Sequence, residues 1–191
     1  MYGFEAELRQ DVRIVRLVSD DATNRLTRAV VLSLTDAICQ WAKDKQPFII
    51  TGNERFFSAG ADLKEIAALS GPDGYEFSKM GHGLMSAIAN FPSPVCAAVS
   101  GYCMGGGLDL ALACHRRIAA PHTIFGHRGA ALGLITGWGG TQRLPRLIGK
   151  ARALQMFAAA EKIGAEEALR VGLIDAIAAD PVSEALRRMC R

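Results

Sequence analysis

Short apolar segments alternate with longer amphipathic segments along this chain. Residues 12–18 and 47–51 have the β-branched and aromatic composition of strands. Between them, apolar residues recur at helical spacing as far as Ala42, which predicts a helix that packs on a sheet. The apolar positions of that helix are Leu26, Val30, Leu34, Ile38 and Trp41. Strand and helix patterns continue to alternate toward the C-terminus, and this rhythm predicts an α/β fold.

The most informative stretch combines a strand, a glycine-dense turn and a buried helix. Residues 95–99 are a strand-like apolar run, and a Leu/Ala-rich helix is predicted from Gly106. The three adjacent glycines of residues 105–107 are costly to order, so the turn must need bare backbone. A helix that begins there presents unpaired amides and the positive end of its dipole, which favour a negatively charged oxygen. The turn therefore predicts an oxyanion site, with an unliganded strand-to-helix turn as the alternative.

Three other motifs with similar glycines do not fit this turn. A Walker loop needs Lys and then Ser or Thr, but Leu108 and Asp109 follow the last glycine. A dinucleotide fingerprint requires a third glycine where Leu110 stands. A hydrolase nucleophile elbow around Ser100 requires glycine in place of Ala98.

A second strand-to-helix turn exposes backbone in the same way. Residues 58–61 are all small, and Asp62 opens a short predicted helix. Two converging amides stabilise a developing enolate or tetrahedral oxyanion, and removal of one such donor typically costs about 3 kcal/mol of barrier. Simple helix capping is the alternative role for Asp62.

Glycines also shape two later segments. Residues 70–74 are predicted as a surface loop, followed by a helix over 75–91 with interruptions at Gly81 and Gly83. The glycine-rich segment before the helix that is predicted from Thr141 has the composition of a loop that lines a cavity.

Composition narrows the function classes. The chain has 191 residues, of which 50% are hydrophobic and 21% charged, as in a globular domain. The net charge of +3 is too small to indicate a nucleic-acid partner and suits a small anionic ligand. The sequence has neither a membrane-spanning run nor a signal-peptide pattern, so we expect a cytoplasmic protein without a membrane partner. The five cysteines lack CxxC spacing and are predicted to be reduced core thiols: Cys39, Cys96, Cys103, Cys114 and Cys190.

Three blocks of sequence resemble the crotonase superfamily, the enoyl-CoA hydratases and isomerases. They are FSAGADLKEI at 57–66, SGYCMGGGLDLALAC at 100–114 and LGLITGWGGTQRLPRLIGKARAL at 132–154. The likeness runs in register over about residues 12–179. It implies a spiral of ββα units, with a crotonase-like acyl-CoA-binding core at 1–179 and a short helical remnant at 180–191. Most of the family's C-terminal helical segment is expected to be missing.

The resemblance also implies the site residues. The carbonyl oxygen of an acyl-CoA thioester would accept from the backbone N–H groups of Ala61 and Gly106, with Asp109 as the acid/base group. The substrate and CoA contacts would be Ala59, Gly60, Asp62, Leu63, Lys64, Gly105 and Gly129. Lys64 would meet a phosphate, or else be a solvated surface lysine. CoA belongs to the substrate, so no separate cofactor and no metal are expected, and relatives are usually homotrimers or dimers of trimers.

The sequence departs from the family pattern at the acid/base positions. Family hydratases use two glutamates, and these positions hold Asp109 and Gly129. Hydration needs one group to activate water and another to manage the α-carbon proton. Isomerases usually keep the second glutamate, and Gly137 stands where dienoyl isomerases and dehalogenases carry an extra aspartate. His127 is a possible alternative base, and Asp109 could instead only stabilise its helix, by about 0.3–1 kcal/mol.

The sequence therefore predicts an acyl-CoA enzyme of the enoyl-CoA hydratase/isomerase type. One alternative is an acyl-CoA-binding protein that has lost turnover, which Gly129 motivates. The other is a family hydrolase or lyase that uses His127 as its base.

Overall fold

The computed structural model describes residues 2–189. Cys190 and the end of the predicted 180–191 remnant therefore lie outside the described residues. The strands are β1 Tyr2–Arg9, β2 Val12–Ser19, β3 Phe48–Thr51, β4 Phe56–Ser58, β5 Val95–Val99, β6 Tyr102–Met104, β7 Arg116–Ala119, β8 Ile124–Gly126, β9 Lys162–Gly164 and β10 Ala176–Ile177. The helices are α1 Arg28–Trp41, α2 Leu63–Ala67, α3 Gly71–Ala89, α4 Gly106–Ala113, α5 Gly140–Ile148, α6 Lys150–Ala158, α7 Ala165–Arg170 and α8 Pro181–Met189, and a 3-10 turn covers Gly129–Leu132.

The strands form two sheets that the chain visits in turn. The larger sheet has the order β1-β2-β3-β5-β7-β10, and the smaller has the order β4-β6-β8-β9. Three times, one strand enters the larger sheet, the next enters the smaller sheet, and a helix follows: β3-β4-α2, β5-β6-α4 and β7-β8-α5. Equivalent strands of these units are parallel neighbours in both sheets. The predicted α/β fold with a spiral of ββα units is confirmed.

Helix α1 shows how the apolar stripe produces the packing. Thr27 accepts a hydrogen bond from the Val30 amide and so caps the helix. Val30, Leu34 and Ile38 are all at most 2% exposed within the main hydrophobic core. The stripe predicted the buried face correctly, although Leu26 lies just before the helix rather than in it.

Helix α3 corrects the prediction for residues 70–91. Ser70 and Asp73 form a reciprocal capping box, so residues 71–74 are the first turn of a helix and not a surface loop. Neither Gly81 nor Gly83 interrupts the helix, and Gly81 is buried against the indole of Trp138. No strand was predicted for β1, nor for β4, β6 and β9, which have three residues each and are too short to show a period.

Three of the four described cysteines are buried. Cys96, Cys103 and Cys114 are buried free thiols as predicted, but Cys39 is exposed on α1, so its assignment to the core was wrong. Ala185 and Leu186 of α8 pack with residues of the larger sheet in a second apolar cluster. No helix within residues 2–189 is long and apolar enough to cross a lipid bilayer.

Candidate active site

A pocket of about 330 Å³ lies where the first turns after β4, β6 and β8 come together. Much of its wall is apolar and comes from α2, α3 and the loop before α5: Leu63, Ile66, Leu69, Phe77, Leu132, Leu134, Ile135 and Trp138. The pocket also contains many of the residues predicted from the sequence: Ala59, Ala61, Leu63, Gly105, Gly106, Asp109, His127 and Gly129. An apolar cavity with a few convergent polar groups is the usual form of a small-molecule site.

The two predicted backbone turns are in direct contact at this pocket. The Ala61 nitrogen lies 3.2 Å from the point where a Cβ on Gly106 would sit. Gly60 has a φ of +94°, and a Cβ there would lie 2.7 Å from the Met104 carbonyl oxygen and 2.9 Å from the Gly106 nitrogen. The approach is thus possible only because residue 60 has no side chain.

Backbone hydrogen bonds hold the first turn in place. The Ala59 amide donates to the Thr23 carbonyl at 2.9 Å, and the Leu26 amide donates to the Gly60 carbonyl at 2.9 Å. By contrast, the N–H groups of Ala61 and Gly106 have no acceptor among residues 2–189. The first turn is therefore tied down directly before Ala61, whose own amide stays unpaired.

The glycines of residues 105–107 allow α4 to start close to the neighbouring strands. Gly105 has a φ of +52°, and its amide donates to the Gly126 carbonyl at 2.9 Å. A Cβ on Gly107 would lie 2.6 Å from the Ser58 carbonyl oxygen. The Asp109 amide closes the first helical turn on the Gly105 carbonyl at 3.0 Å, which fixes Asp109 beside the pocket.

Asp109 and His127 form a buried pair in the pocket wall. Oδ1 of Asp109 lies 3.0 Å from Nε2 of His127, and the two residues are 1% and 4% exposed. The contact is short enough for an ion pair but lacks the geometry of a hydrogen bond, so neither atom has a hydrogen-bond partner among residues 2–189. The His127 ring also packs on the Phe157 ring, with the two centroids 5.3 Å apart.

Two residues that sequence reasoning missed complete the surroundings of Asp109. The Thr136 hydroxyl donates to Oδ2 of the carboxylate. Gly140 begins α5, and a Cβ there would lie 2.1 Å from Oδ1 of Asp109 and 2.9 Å from Nε2 of His127. The N-terminus of α5 thus lies directly against the carboxyl group of Asp109. The only sequence signal for either residue was the glycine-rich composition of residues 129–140.

A cation lies near this carboxylate as well. The Arg143 guanidinium on α5 donates to the Trp138 carbonyl at 3.2 Å. Burial lowers the pKa of Arg143, and the charge of Asp109 acts in the opposite direction. The site therefore contains a buried carboxyl group with the partly buried guanidinium of Arg143 near it.

Trp138 forms a wall between the pocket and α3. Its indole N–H donates to the Phe77 carbonyl at 3.2 Å, and its ring is 3% exposed. A Cβ on Gly106 would lie 2.6 Å from this ring, and one on Gly81 would lie 2.1 Å from it. Trp138 is thus fixed between Gly106 on one side and α3 on the other.

Three of the predicted substrate contacts do not line the pocket: Gly60, Asp62 and Lys64. Asp62 caps α2 by accepting from the Lys64 amide at 2.8 Å, so the capping interpretation of Asp62 is confirmed. Its carboxylate also lies 3.6 Å from the Arg25 guanidinium. The Lys64 side chain is exposed, and its contact with CoA stays a prediction.

Gly129, where the resemblance expects the family's second glutamate, has no space for a side chain. A Cβ on Gly129 would lie 2.6 Å from the Leu134 carbonyl oxygen, and the Leu134 amide donates to the Gly129 carbonyl at 2.8 Å. Any side chain at residue 129 would require this loop to move. The acid/base candidate His127 lies two positions before Gly129 in the sequence and lines the same pocket.

Comparisons with known proteins agree with this architecture. The sequence profile described as Enoyl-CoA hydratase/isomerase matches residues 7–191. A Bacillus subtilis protein named probable enoyl-CoA hydratase is 41% identical over 87% of this chain and 66% of its own length. A crotonyl-CoA hydratase of Syntrophomonas wolfei is 37% identical over 90% of this chain and 67% of its own length.

A solved structure gives the same result in three dimensions. The enoyl-CoA hydratase of Bacillus anthracis superposes with a TM-score of 0.91 and 33% identity, over 98% of this chain and 74% of that one. The chain spans about two thirds of the length of the two curated hydratases that it matches. The profile match over nearly the whole sequence, the curated relatives and the shared fold together show that this chain belongs to the enoyl-CoA hydratase/isomerase family.

Proposed function

We propose that the protein binds an acyl-CoA thioester, stabilises its enolate and hydrates or isomerises an enoyl-CoA. The observation that carries the proposal is the contact between two unpaired backbone donors, at Ala61 and Gly106, in the same pocket as the buried Asp109. The family membership and the names of the relatives support the same class of substrate.

The two amides would act on the thioester oxygen. Addition at the β-carbon, or loss of a proton next to the thioester, places negative charge on that oxygen. Backbone donors that are already held in position stabilise this charge without reorganising, and each contributes about 3 kcal/mol to lowering the barrier. The hydrogen bonds on either side of Gly60 supply that rigidity.

The apolar wall would hold the acyl chain, and Asp109 would supply acid/base catalysis. Residues of α2 and α3 provide a hydrocarbon surface next to the donors. Asp109 lines the same pocket, which supports a role for its carboxylate in exchanging a proton with a bound acyl group. Positioned acid/base groups contribute about 10²–10⁴-fold to a rate.

Incubation with crotonyl-CoA and with longer 2-enoyl-CoAs tests the reaction. We expect loss of the absorbance of the conjugated thioester, with the saturated acyl-CoA of the same length as the unreactive control. Infrared spectroscopy of a bound ¹³C-labelled thioester tests the donors, and we expect its carbonyl stretch to fall below the value in buffer. A bound thioester with an unshifted stretch would contradict the role of Ala61 and Gly106.

A second candidate function is acyl-CoA binding without turnover. It is favoured by Gly129, which has no carboxylate and no room for one. Calorimetric binding of acyl-CoA, with no reaction of any enoyl-CoA and no hydrolysis of the thioester, would support it over the first. Hydrolysis of the thioester would instead support the hydrolase that the sequence allowed.

The remaining parts of the proposal come from the sequence. We expect no cofactor, because CoA is part of the substrate, and we expect a homotrimer or a dimer of trimers in the cytoplasm. The phosphate contact of Lys64 belongs to the same set of predictions.

A further inference from the structure

We propose that His127 is a second acid/base catalytic residue, which acts with Asp109 as one proton-transfer unit. The inference rests on the proposed function and names the group that does the work of the family's second carboxylate. Its basis is the pair of buried, unpartnered atoms that face each other in the pocket wall.

A buried polar atom without a partner is costly and needs an explanation. Leaving such a group unsatisfied destabilises the fold, and more strongly so when the group is charged. Both Oδ1 of Asp109 and Nε2 of His127 are in this state, at 3.0 Å from each other. A pair that exchanges protons with a bound ligand accounts for both atoms at once.

His115 shows what a purely structural histidine looks like in this chain. Its Nδ1 accepts from the Val95 amide at 2.9 Å, and its Nε2 lies 3.2 Å from the Ala89 carbonyl oxygen. Both of its ring nitrogens are therefore satisfied by the backbone, and it does not line the pocket. His127 differs in both respects. Its Nε2 has no hydrogen-bond partner among residues 2–189, and it lines the pocket although it is only 4% exposed.

The surroundings of His127 select Asp109 as its partner. Phe157 of α6 presents only an aromatic ring, and α5 presents the bare backbone of Gly140. Thr136 occupies the other carboxylate oxygen and so fixes the orientation of Asp109. Arg143 is the nearby cation on α5, and it interacts with Asp109.

The pair can complete hydration with a balanced transfer of atoms. A water oxygen bonds to the β-carbon while one of its O–H bonds breaks, and that proton passes to the pair. The electrons of the double bond move onto the thioester as an enolate, which the amides of Ala61 and Gly106 stabilise. The α-carbon then takes a proton from the pair. One water has been added, and the pair ends with the protons that it had at the start.

The experiment uses the full chain and the variants His127→Gln, Asp109→Asn and the double variant. His122→Gln is the matched control, because His122 is exposed and its Nε2 lies 3.2 Å from the Glu54 carbonyl oxygen, outside the pocket. Three quantities are measured: turnover of crotonyl-CoA, uptake of deuterium at the α-carbon of butyryl-CoA in D₂O, and calorimetric affinity for butyryl-CoA. Circular dichroism checks that each variant is folded.

We expect His127→Gln to lose about 10²–10⁴-fold in turnover and in deuterium uptake, with its affinity for butyryl-CoA unchanged. The double variant should be no slower than the slower single variant, because residues that act as one unit are not additive. If His127→Gln fails to fold, His127→Ala with added imidazole replaces it. Rescue by imidazole would support the proposal, and its absence would overturn it.

The outcomes separate this inference from the proposed function. Turnover of His127→Gln equal to that of His122→Gln, with Asp109→Asn inactive, would remove His127 from the reaction and leave the proposed function intact. A parent chain that neither binds butyryl-CoA nor exchanges its α-proton would overturn both.

Discussion

Gly140 and Asp109 are packed so closely that a Cβ on the glycine would lie 2.1 Å from Oδ1 of the carboxylate. This contact brings the N-terminus of α5 against the side chain that the site is built around. Asp109 is only 1% exposed, so its carboxylate is enclosed by the surrounding residues. The absence of a side chain at residue 140 is therefore a condition for the Asp109–His127 arrangement.

Gly140→Ala should damage this site directly. We expect about 1–3 kcal/mol of destabilisation from overpacking. We also expect turnover to fall about 100-fold, because small displacements of catalytic groups are expensive. Urea unfolding and turnover of crotonyl-CoA measure the two effects. Gly3→Ala is the control, since a Cβ there meets nothing within 4 Å. Equal turnover in the two variants would contradict the prediction.

Gly81 and Gly83 provide a matched test of the Trp138 wall, since both lie inside α3. A Cβ on Gly81 would lie 2.1 Å from the indole, whereas one on Gly83 meets nothing within 4 Å. Gly81→Ala should therefore destabilise the fold by about 1–3 kcal/mol. Gly83→Ala should stabilise it by about 0.5–1 kcal/mol through helix propensity. Thermal unfolding of both variants should show shifts of opposite sign, and shifts of the same sign would count against this packing.

Thr136→Val should weaken the support of Asp109 without changing the volume of the side chain. Loss of the hydroxyl leaves Oδ2 of a buried carboxylate without its donor, which costs about 1–3 kcal/mol. We expect both stability and turnover to fall. Thr123→Val is the comparison, because the buried Thr123 hydroxyl donates to the Val99 carbonyl at 3.0 Å outside the pocket. That variant should lose stability while its folded form keeps its turnover, and the same pattern in Thr136→Val would argue against a role for Thr136.

The described cysteines should divide into one reactive and three protected thiols. Burial raises the pKa of Cys96 to about 12 and also raises the pKa values of Cys103 and Cys114. Cys39 is exposed. Iodoacetamide at mildly alkaline pH should therefore modify Cys39 in the native protein, because the thiolate is the reactive form. Mass spectrometry should find the other three modified only after unfolding, and their rapid modification in the native state would be inconsistent with this core.

Local sequence patterns predicted most of the elements but not all of their ends. The apolar stripe of α1 and the β-branched runs of β2 and β3 were sufficient because each pattern extends over several residues. The capping box of Ser70 was missed, since glycine and proline beside it have the composition of a loop as much as of a first helical turn. The three-residue strands of the smaller sheet exist because neighbouring strands pair with them.

For the candidate site, too, local sequence patterns predicted one part and missed another. The two strand-to-helix turns were predicted because unpaired amides there have a local signature, the resemblance assigned the donors to Ala61 and Gly106, and the structure brings the two turns into contact. The partners of Asp109 have no such signature. Thr136 lies 27 positions after Asp109, and nothing in the intervening residues indicates that their side chains meet.

The amino-acid sequence by itself determined the α/β class, the family resemblance and the two bare turns, because periodicity, propensity and glycine conformation act over a few neighbouring residues. The tertiary structure alone decided that an aspartate, a histidine, a threonine and a helix N-terminus converge on one buried point. That convergence depends on how successive ββα units stack and on how closely α5 packs against α4. Both are long-range consequences of burying the whole chain at once.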